Sequence, residues 1–130
     1  MREILFRGKT VCDGDWVYGG ITWNPSRKKF FIHTDWEEAK VIPETIGQYT
    51  GLTDKNGTKI FEGDILHAEQ GNFVVRWSES ICSFVAGEKE RMRPCMNSGT
   101  MNCCEVIGNI FDNPELIELD IHKAEAAESE

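Results

Sequence analysis

Two pairs of acidic residues are spaced so that they could form a two-carboxylate site. Asp13 and Asp15 flank Gly14, and Glu62 and Asp64 flank Gly63. Paired carboxylates act as general acid and base when their environments separate their pKa values. Acidic residues beside a glycine are also typical of turns, where their side chains bond to nearby backbone groups. We interpret both pairs as turn residues and predict no catalytic residue.

Other motifs of catalysis are missing from the sequence, which contains no Gly-x-Ser-x-Gly and no His-Glu-x-x-His. Gly63-Asp64 resembles a phosphate loop only superficially, because such loops carry several glycines, or end in Gly-Lys-Ser/Thr, before a helix. The sequence therefore lacks the residue patterns that nucleophilic catalysis and zinc hydrolases require. The sequence predicts a protein that is not an enzyme and binds no cofactor.

The cysteines form an odd set that favours free thiols over disulfides or a metal site. No Cys-x2-Cys pair is present, and His33, His67 and His122 lack metal-ligand spacing. We predict reduced thiols, no metal and a cytoplasmic location. A metal knuckle within residues 95–104 is the alternative. The five cysteines are Cys12, Cys82, Cys95, Cys103 and Cys104.

The net charge of −8 argues against a nucleic-acid partner. Binding a polyphosphate would need a local basic face that outweighs the average charge. The stretches that could form one, Arg27-Lys28-Lys29 and Lys89-Glu-Arg91-Met-Arg93, are short or interrupted, and we interpret them as solvated turn residues. No run of about 18 apolar residues is present, so we predict no membrane span. The candidate basic residues are Lys28, Lys29, Arg76 and Arg93.

The first third of the chain has the pattern of β-hairpins. Short segments rich in aromatic and β-branched residues alternate with turn residues such as Asn24-Pro25-Ser26. Pro43 ends the series because it cannot donate a ladder hydrogen bond. We predict an N-terminal hairpin region over residues 1–46. Its strands are predicted at 4–7, 16–23, 29–34 and 39–42.

Tight turns also punctuate the next segment. Asp54 suits the first position of a type I turn, and Gly57 suits the left-handed position that follows. Gly63-Asp64 is best explained as a bend between two strands. About five short strands joined in this way predict a small SH3-like barrel over residues 47–112. Its later strands are predicted at 73–77, 82–85 and 105–111.

Two segments differ from this β pattern. Residues 87–103 lack an apolar period, hold several charges and predict a long mobile loop that proteases should cut. Pro114 suits the first position of a short helix, with Asn113 as its cap and an apolar face that includes Leu119 and Ile121. We therefore assign residues 113–130 to a short helix and an acidic tail.

Two strings in this sequence resemble the YopX family of phage and prophage proteins. They are IPETIGQYTGLTDKNGTKIFEGDIL (42–66) and EVIGNIFDNPEL (105–116), preceded by REILFRGK and WVYGG. The resemblance implies a phage-derived, cytoplasmic, mainly β protein with an SH3-type barrel in its C-terminal part, which self-associates. It implies no activity, and it assigns no role to the cysteines at 95–104.

The aromatic residues of the N-terminal region are the candidate interface. Six of them fall between residues 16 and 36, more than a small sheet buries easily on one face. They form either the core between the hairpins and the barrel or an interface, where Trp and Tyr anchors concentrate. The candidates are Trp16, Tyr18, Trp23 and Trp36.

We therefore predict a protein-interaction or assembly module that forms homo-oligomers and binds an unknown host or phage protein. The alternatives are a small-barrel nucleic-acid binder and an acidic mimic that occupies a host nucleic-acid-binding protein. Retention on a polyanion column would distinguish the nucleic-acid binder from the other two.

Overall fold

The computed structural model describes residues 3–69, 71–87, 100–101 and 103–117. As predicted, the fold is mainly β, with two antiparallel sheets and one short helical segment near the C-terminus. The chain divides into two compact units, Met1–Gly51 and Leu52–Glu130. One strand passes through the boundary and pairs within each unit.

The N-terminal unit consists of short strands joined by tight turns, close to the predicted positions. Pro43 begins a 3-10 helix, Pro43–Thr45, where the hairpin series was predicted to end. In the turn before the third strand, the Asn24 side chain accepts a hydrogen bond from the Arg27 N–H at 3.0 Å. The strands are β1 (Phe6–Lys9), β2 (Trp16–Asn24), β3 (Lys29–His33), β4 (Glu38–Lys40) and the first half of β5 (Gly47–Asp54).

Strands β1 to β4 pair antiparallel in sequence order, and the set then closes on itself. The Ile42 N–H donates to the Lys9 carbonyl at 2.8 Å, and the Val11 N–H donates to the Lys40 carbonyl at 3.0 Å. These bonds join the chain after β4 to the chain after β1. The closed set encloses Ile32 and Val41, which are almost completely buried.

Two glycines allow this closure because their backbones lie against neighbouring strands. A Cβ at Gly8 would lie 3.1 Å from the Val41 Cβ, and a Cβ at Gly19 would lie 1.9 Å from the His33 carbonyl oxygen. At Gly19, β2 ends its pairing with β1, and at Gly20 it begins its pairing with β3. A side chain at residue 19 would therefore separate β2 from β3.

The C-terminal unit contains a four-stranded antiparallel sheet in the order β11-β7-β8-β9. The second half of β5 pairs with β6 and, in parallel, with β10. A buried core includes Ile60, Leu66, Val75 and Phe84. The strands are β6 (Lys59–Phe61), β7 (Asp64–Ala68), β8 (Gly71–Ser78), β9 (Ser83–Ala86), β10 (Thr100–Met101) and β11 (Glu105–Asn109).

Several details of this unit differ from the sequence predictions or are untested. Strand β10 was not predicted, and the rest of the predicted 87–103 loop, apart from Gly87 and Cys103, lies outside the described residues. The SH3-like barrel over 47–112 stays a prediction. The division at residues 46 and 112 likewise stays a prediction.

The predicted C-terminal helix is present as one turn at residues 115–117, and Leu119 and Ile121 lie outside the described residues. The capping role predicted for Asn113 is wrong for its side chain, which accepts a hydrogen bond from the Asn109 N–H at 3.3 Å. The Asn113 carbonyl accepts from the Leu116 N–H instead.

Candidate interaction surface

The first carboxylate pair forms a turn, as the sequence suggested. Asp13 accepts hydrogen bonds from the Thr10 hydroxyl and, at 3.3 Å, from the Asp15 N–H. The Thr10 hydroxyl, followed by the Asp15 N–H, holds the pKa of Asp13 below its ordinary value. Both bonds are local and favour the charged carboxylate. The arrangement stabilises the turn between β1 and β2.

The second carboxylate pair lies at a corner where the chain leaves one set of strands for another. Asp64 is buried and accepts a hydrogen bond from the Phe61 N–H at 2.8 Å. The Gly63 N–H donates to the Val75 carbonyl, and the Gly63 carbonyl accepts from the Ile110 N–H. Gly63 has φ of 93°, which favours glycine. The bend predicted here is confirmed. The Asp64 carboxylate and the backbone groups of Gly63 bond it to the neighbouring backbone.

The Asp54 turn has the predicted geometry. The Gly57 N–H donates to the Asp54 carbonyl at 3.0 Å, and Gly57 has φ of 81°. The Asp54 carboxylate also accepts from the N–H groups of Asn56 and Thr58, at 2.8 and 2.9 Å. A third donor, the Val106 N–H, comes from β11 and was not predicted.

The VIGNIFDNPEL string is likewise held by its own polar groups. The Asn109 side chain accepts from the N–H groups of Phe111 and Asp112, at 3.0 and 2.9 Å. A Cβ at Gly108 would lie 2.4 Å from the Asn113 Oδ1. Several polar residues and glycines of both strings thus maintain turns or close contacts between backbone segments. The candidate interaction surface is formed instead by exposed aromatic side chains of the N-terminal unit.

The most exposed large hydrophobic side chain among the described residues is Trp36, at 92 % exposure. It lies at the tip between β3 and β4. The Thr34 hydroxyl accepts from the N–H groups of Trp36 and Glu37, at 3.2 and 3.0 Å, and the Thr34 N–H donates to the Glu37 carbonyl at 2.8 Å. These bonds fix the backbone that carries the ring. The neighbours of Trp36 in the chain include three exposed acidic residues, Asp35, Glu37 and Glu38.

A second exposed aromatic group lies at the opposite end of β3. Trp23 and Phe30 are cross-strand partners, and their ring centroids are 4.8 Å apart. Trp23 is 48 % exposed, whereas Phe30 is half-buried. Lys28, in the adjoining turn, and Lys29, the first residue of β3, are both exposed. This end of β3 therefore combines an aromatic surface with positive charge.

The other two candidates lie on β2 and differ in exposure. Tyr18 is 47 % exposed, and Trp16 is half-buried. The Arg7 guanidinium lies 4.7 Å and the Lys9 ammonium 5.6 Å from the centre of the Trp16 ring. Cations over an aromatic face are attracted to its electrons. Trp16 therefore has a packing role in the unit, and Tyr18 is partly exposed at its surface.

The basic residues proposed for nucleic-acid binding have separate roles. The Arg76 Nε donates to the Gly87 carbonyl at 2.9 Å, and its side chain is half-buried. Lys28 has φ of 53°, as expected for a turn. Arg93 lies outside the described residues. Lys28 is thus an exposed turn residue, as we interpreted it, whereas Lys29 is exposed but is the first residue of β3.

The described cysteines are free thiols with different environments. Cys12, Cys82 and Cys103 are exposed, and Cys104 is buried in the core of the C-terminal unit. Cys95 lies outside the described residues. Among the residues that the structure describes, no three His, Cys, Asp or Glu side chains are grouped to hold a metal. Over the same residues, no helix has the length and apolar character needed to cross a membrane.

Comparison with known proteins assigns the family. Residues 9–118 match the family model described as YopX protein. The chain belongs to the YopX family. The matched range contains both strings at 42–66 and 105–116, so the family resemblance read from the sequence is confirmed. No curated protein matches this YopX-family chain significantly.

A solved structure supports the fold of this YopX-family chain. It is similar to the crystal structure of protein EF1440 from Enterococcus faecalis, with a TM-score of 0.57 and 20 % sequence identity. The similarity covers 89 % of this chain and 99 % of that chain. At this level of identity, the comparison supports the fold alone.

Proposed function

We propose that this YopX-family chain is a phage-encoded protein-interaction or assembly module of the bacterial cytoplasm. It acts by binding proteins, including copies of itself, rather than by catalysis. The proposal rests on two aromatic groups at the protein surface, both held on hydrogen-bonded hairpins. One is Trp36, and the other is Trp23 paired with the half-buried Phe30. Aromatic anchors on rigid elements contribute most of the binding energy in many protein interfaces.

The hydrogen bonding of the tip supports this proposal. A disordered hairpin tip would lose backbone conformational entropy on binding, which reduces affinity. The three bonds made by Thr34 and described above order the backbone of Trp36 before any partner arrives. The exposed ring then offers a large apolar area without the cost of ordering its backbone.

The experiment is affinity purification of the tagged protein from the cytoplasm of bacteria that express it, with retained proteins quantified by mass spectrometry. We expect at least one partner to be retained by the wild type and to fall about tenfold, equivalent to 1.4 kcal/mol, in a Trp23→Ala/Trp36→Ala variant. Trp77→Ala, which removes an exposed Trp of the C-terminal unit, is the control and should retain the partner. Equal retention by the double variant would contradict the proposal, as would retention no greater than that of the tag alone.

A further inference from the structure

The two ends of β3 carry opposite charge. The acidic end consists of Asp35, Glu37 and Glu38 around Trp36, and the basic end consists of Lys28 and Lys29 beside the Trp23–Phe30 pair. None of these five charged residues forms an ion pair with another described residue. Both ends therefore present uncompensated charge beside an exposed aromatic ring.

The two ends cannot neutralise each other within one molecule. Strand β3 has five residues, which span about 17 Å at the usual rise. The Debye length at physiological ionic strength is about 8 Å, so charges this far apart are largely screened from each other. The charge at each end can therefore attract an oppositely charged surface of another molecule.

The other cations that the structure describes in the N-terminal unit do not remove this asymmetry. The Arg7 and Lys9 side chains lie over Trp16, and the Arg27 guanidinium lies 5.1 Å from the centre of the Phe31 ring. Lys40 lines a cleft of about 540 Å³ together with Glu37 and Glu38, so one base faces the acidic end. The same cleft also contains Asp13 and Asp15, which keeps its balance negative.

We propose that the acidic Trp36 end of one copy docks on the basic Trp23–Phe30 end of a second copy. Trp36 packs against the aromatic pair, while Glu37 and Glu38 approach Lys28 and Lys29. This inference rests on the proposed function and names a partner for it, a second copy of the chain. A second copy fits because it supplies both the aromatic surface and the opposite charge that each end lacks.

The proposed contact joins two different surfaces and is therefore heterologous. Such contacts form rings when the rotation closes and open chains when it does not. Three aromatic side chains make a small interface, and small interfaces are weak and transient. The protein should therefore show reversible, concentration-dependent association that weakens as salt is raised.

The test is sedimentation velocity of the full chain over a range of concentrations, with two charge-reversal variants. One variant reverses the acidic end, Glu37→Lys/Glu38→Lys, and the other reverses the basic end, Lys28→Glu/Lys29→Glu. Each variant alone should remain at the monomer mass of 14.8 kDa, because its two ends now carry the same sign. An equimolar mixture should associate again, because the tip of each variant is then complementary to the turn of the other.

Trp36→Ala keeps the net charge and tests the aromatic part of the contact. We expect at least a tenfold weaker association constant for this variant, and no change for Trp77→Ala. Circular dichroism verifies that every variant is folded. Wild-type association that is unchanged in Trp36→Ala and in both reversals would overturn the inference, as would a mixture that stays monomeric.

Failure of the self-docking inference is distinguishable from failure of the proposed function. A monomeric wild type that still retains a cellular partner through Trp23 and Trp36 would overturn the self-docking inference alone. A protein that neither associates nor retains a partner would overturn both.

Discussion

The Asp54 carboxylate accepts a hydrogen bond from the Val106 N–H at 2.8 Å, across 52 positions of the chain. Asp54 is 1 % exposed and also accepts the N–H groups of Asn56 and Thr58. One side chain thus closes the turn between β5 and β6 and attaches β11 to it. Burial alone would raise the pKa of Asp54, but these three backbone donors, with a contribution from Lys55, lower it below its ordinary value.

Replacing Asp54 should destabilise the C-terminal unit strongly. Asp54→Ala leaves three backbone donors without their acceptor, and hydrogen bonds to charged groups contribute about 1.5–3 kcal/mol each. Because such losses are not additive, we expect a decrease of about 3 kcal/mol in the free energy of unfolding, measured by urea denaturation. Asp15→Asn, at an exposed position, is the control and should change stability little. A loss below about 0.5 kcal/mol in Asp54→Ala would contradict this role.

The same carboxylate predicts how stability depends on pH. Its pKa is lower in the folded protein than the ordinary value of 3.8, so the folded state favours the charged form. This contribution is complete above pH 3.8 and is lost as the pH falls through the folded pKa. Urea denaturation should therefore give a lower free energy of unfolding below pH 3.8 than at neutral pH. Over the same pH range, the free energy of unfolding of Asp54→Asn should decrease less than that of the wild type. An equal decrease in the two proteins would assign the effect to other carboxylates.

Gly57 should resist replacement for a purely conformational reason. A Cβ there would meet no atom within 4 Å, but φ is 81°. A β-branched residue at positive φ is strained, so Gly57→Val should cost roughly 1–2 kcal/mol of folding free energy. Thermal denaturation would measure it against Gly20→Val, where a Cβ also meets nothing and φ is not positive. Equal stability of the two variants would show that the turn tolerates a side chain.

Gly19 and Gly20 should differ sharply although they are neighbours. A Cβ at Gly19 would lie 1.9 Å from the His33 carbonyl oxygen, so the two strands must separate to accept it. Gly19→Ala should therefore cost roughly 1–3 kcal/mol, as overpacked sites do, whereas Gly20→Ala should be close to neutral. The measurement is chemical denaturation of both variants. Similar stabilities would indicate that β2 and β3 are not this close at Gly19.

The thiols should react in an order set by burial. Cys104 is buried in the apolar core of its unit, whereas Cys12, Cys82 and Cys103 are exposed. The mobile loop predicted for residues 87–103 would make Cys95 and Cys103 react faster than the other exposed thiols. Exposure gives no basis for a difference between Cys103 and either Cys12 or Cys82. We expect these three to react with a thiol reagent at similar rates and Cys104 at least tenfold more slowly under native conditions. Mass spectrometry of labelled peptides measures the rates, and rapid labelling of Cys104 would contradict its place in the core.

The sequence by itself determined the local features of this protein. Strand positions followed from short β-branched and aromatic segments, and turns followed from residues with restricted or permissive backbone angles. The Asp54–Gly57 turn was predictable because all of its determinants lie within four consecutive residues. The family was also recognisable from two strings whose polar residues maintain such turns.

Only the tertiary structure decided which distant groups meet. The bond from Val106 to Asp54, the closure of residues 9–11 on 40–42, and the 1.9 Å approach at Gly19 join segments far apart in the chain. A local pattern carries no information about such pairings, because the same strand can pair with several neighbours at similar cost. For the same reason, the sequence placed six aromatic residues in one region but could not separate buried Phe31 from exposed Trp36. That separation depends on which face of β3 is covered and on Trp36 lying at the tip beyond the strand, and the folded chain decides both.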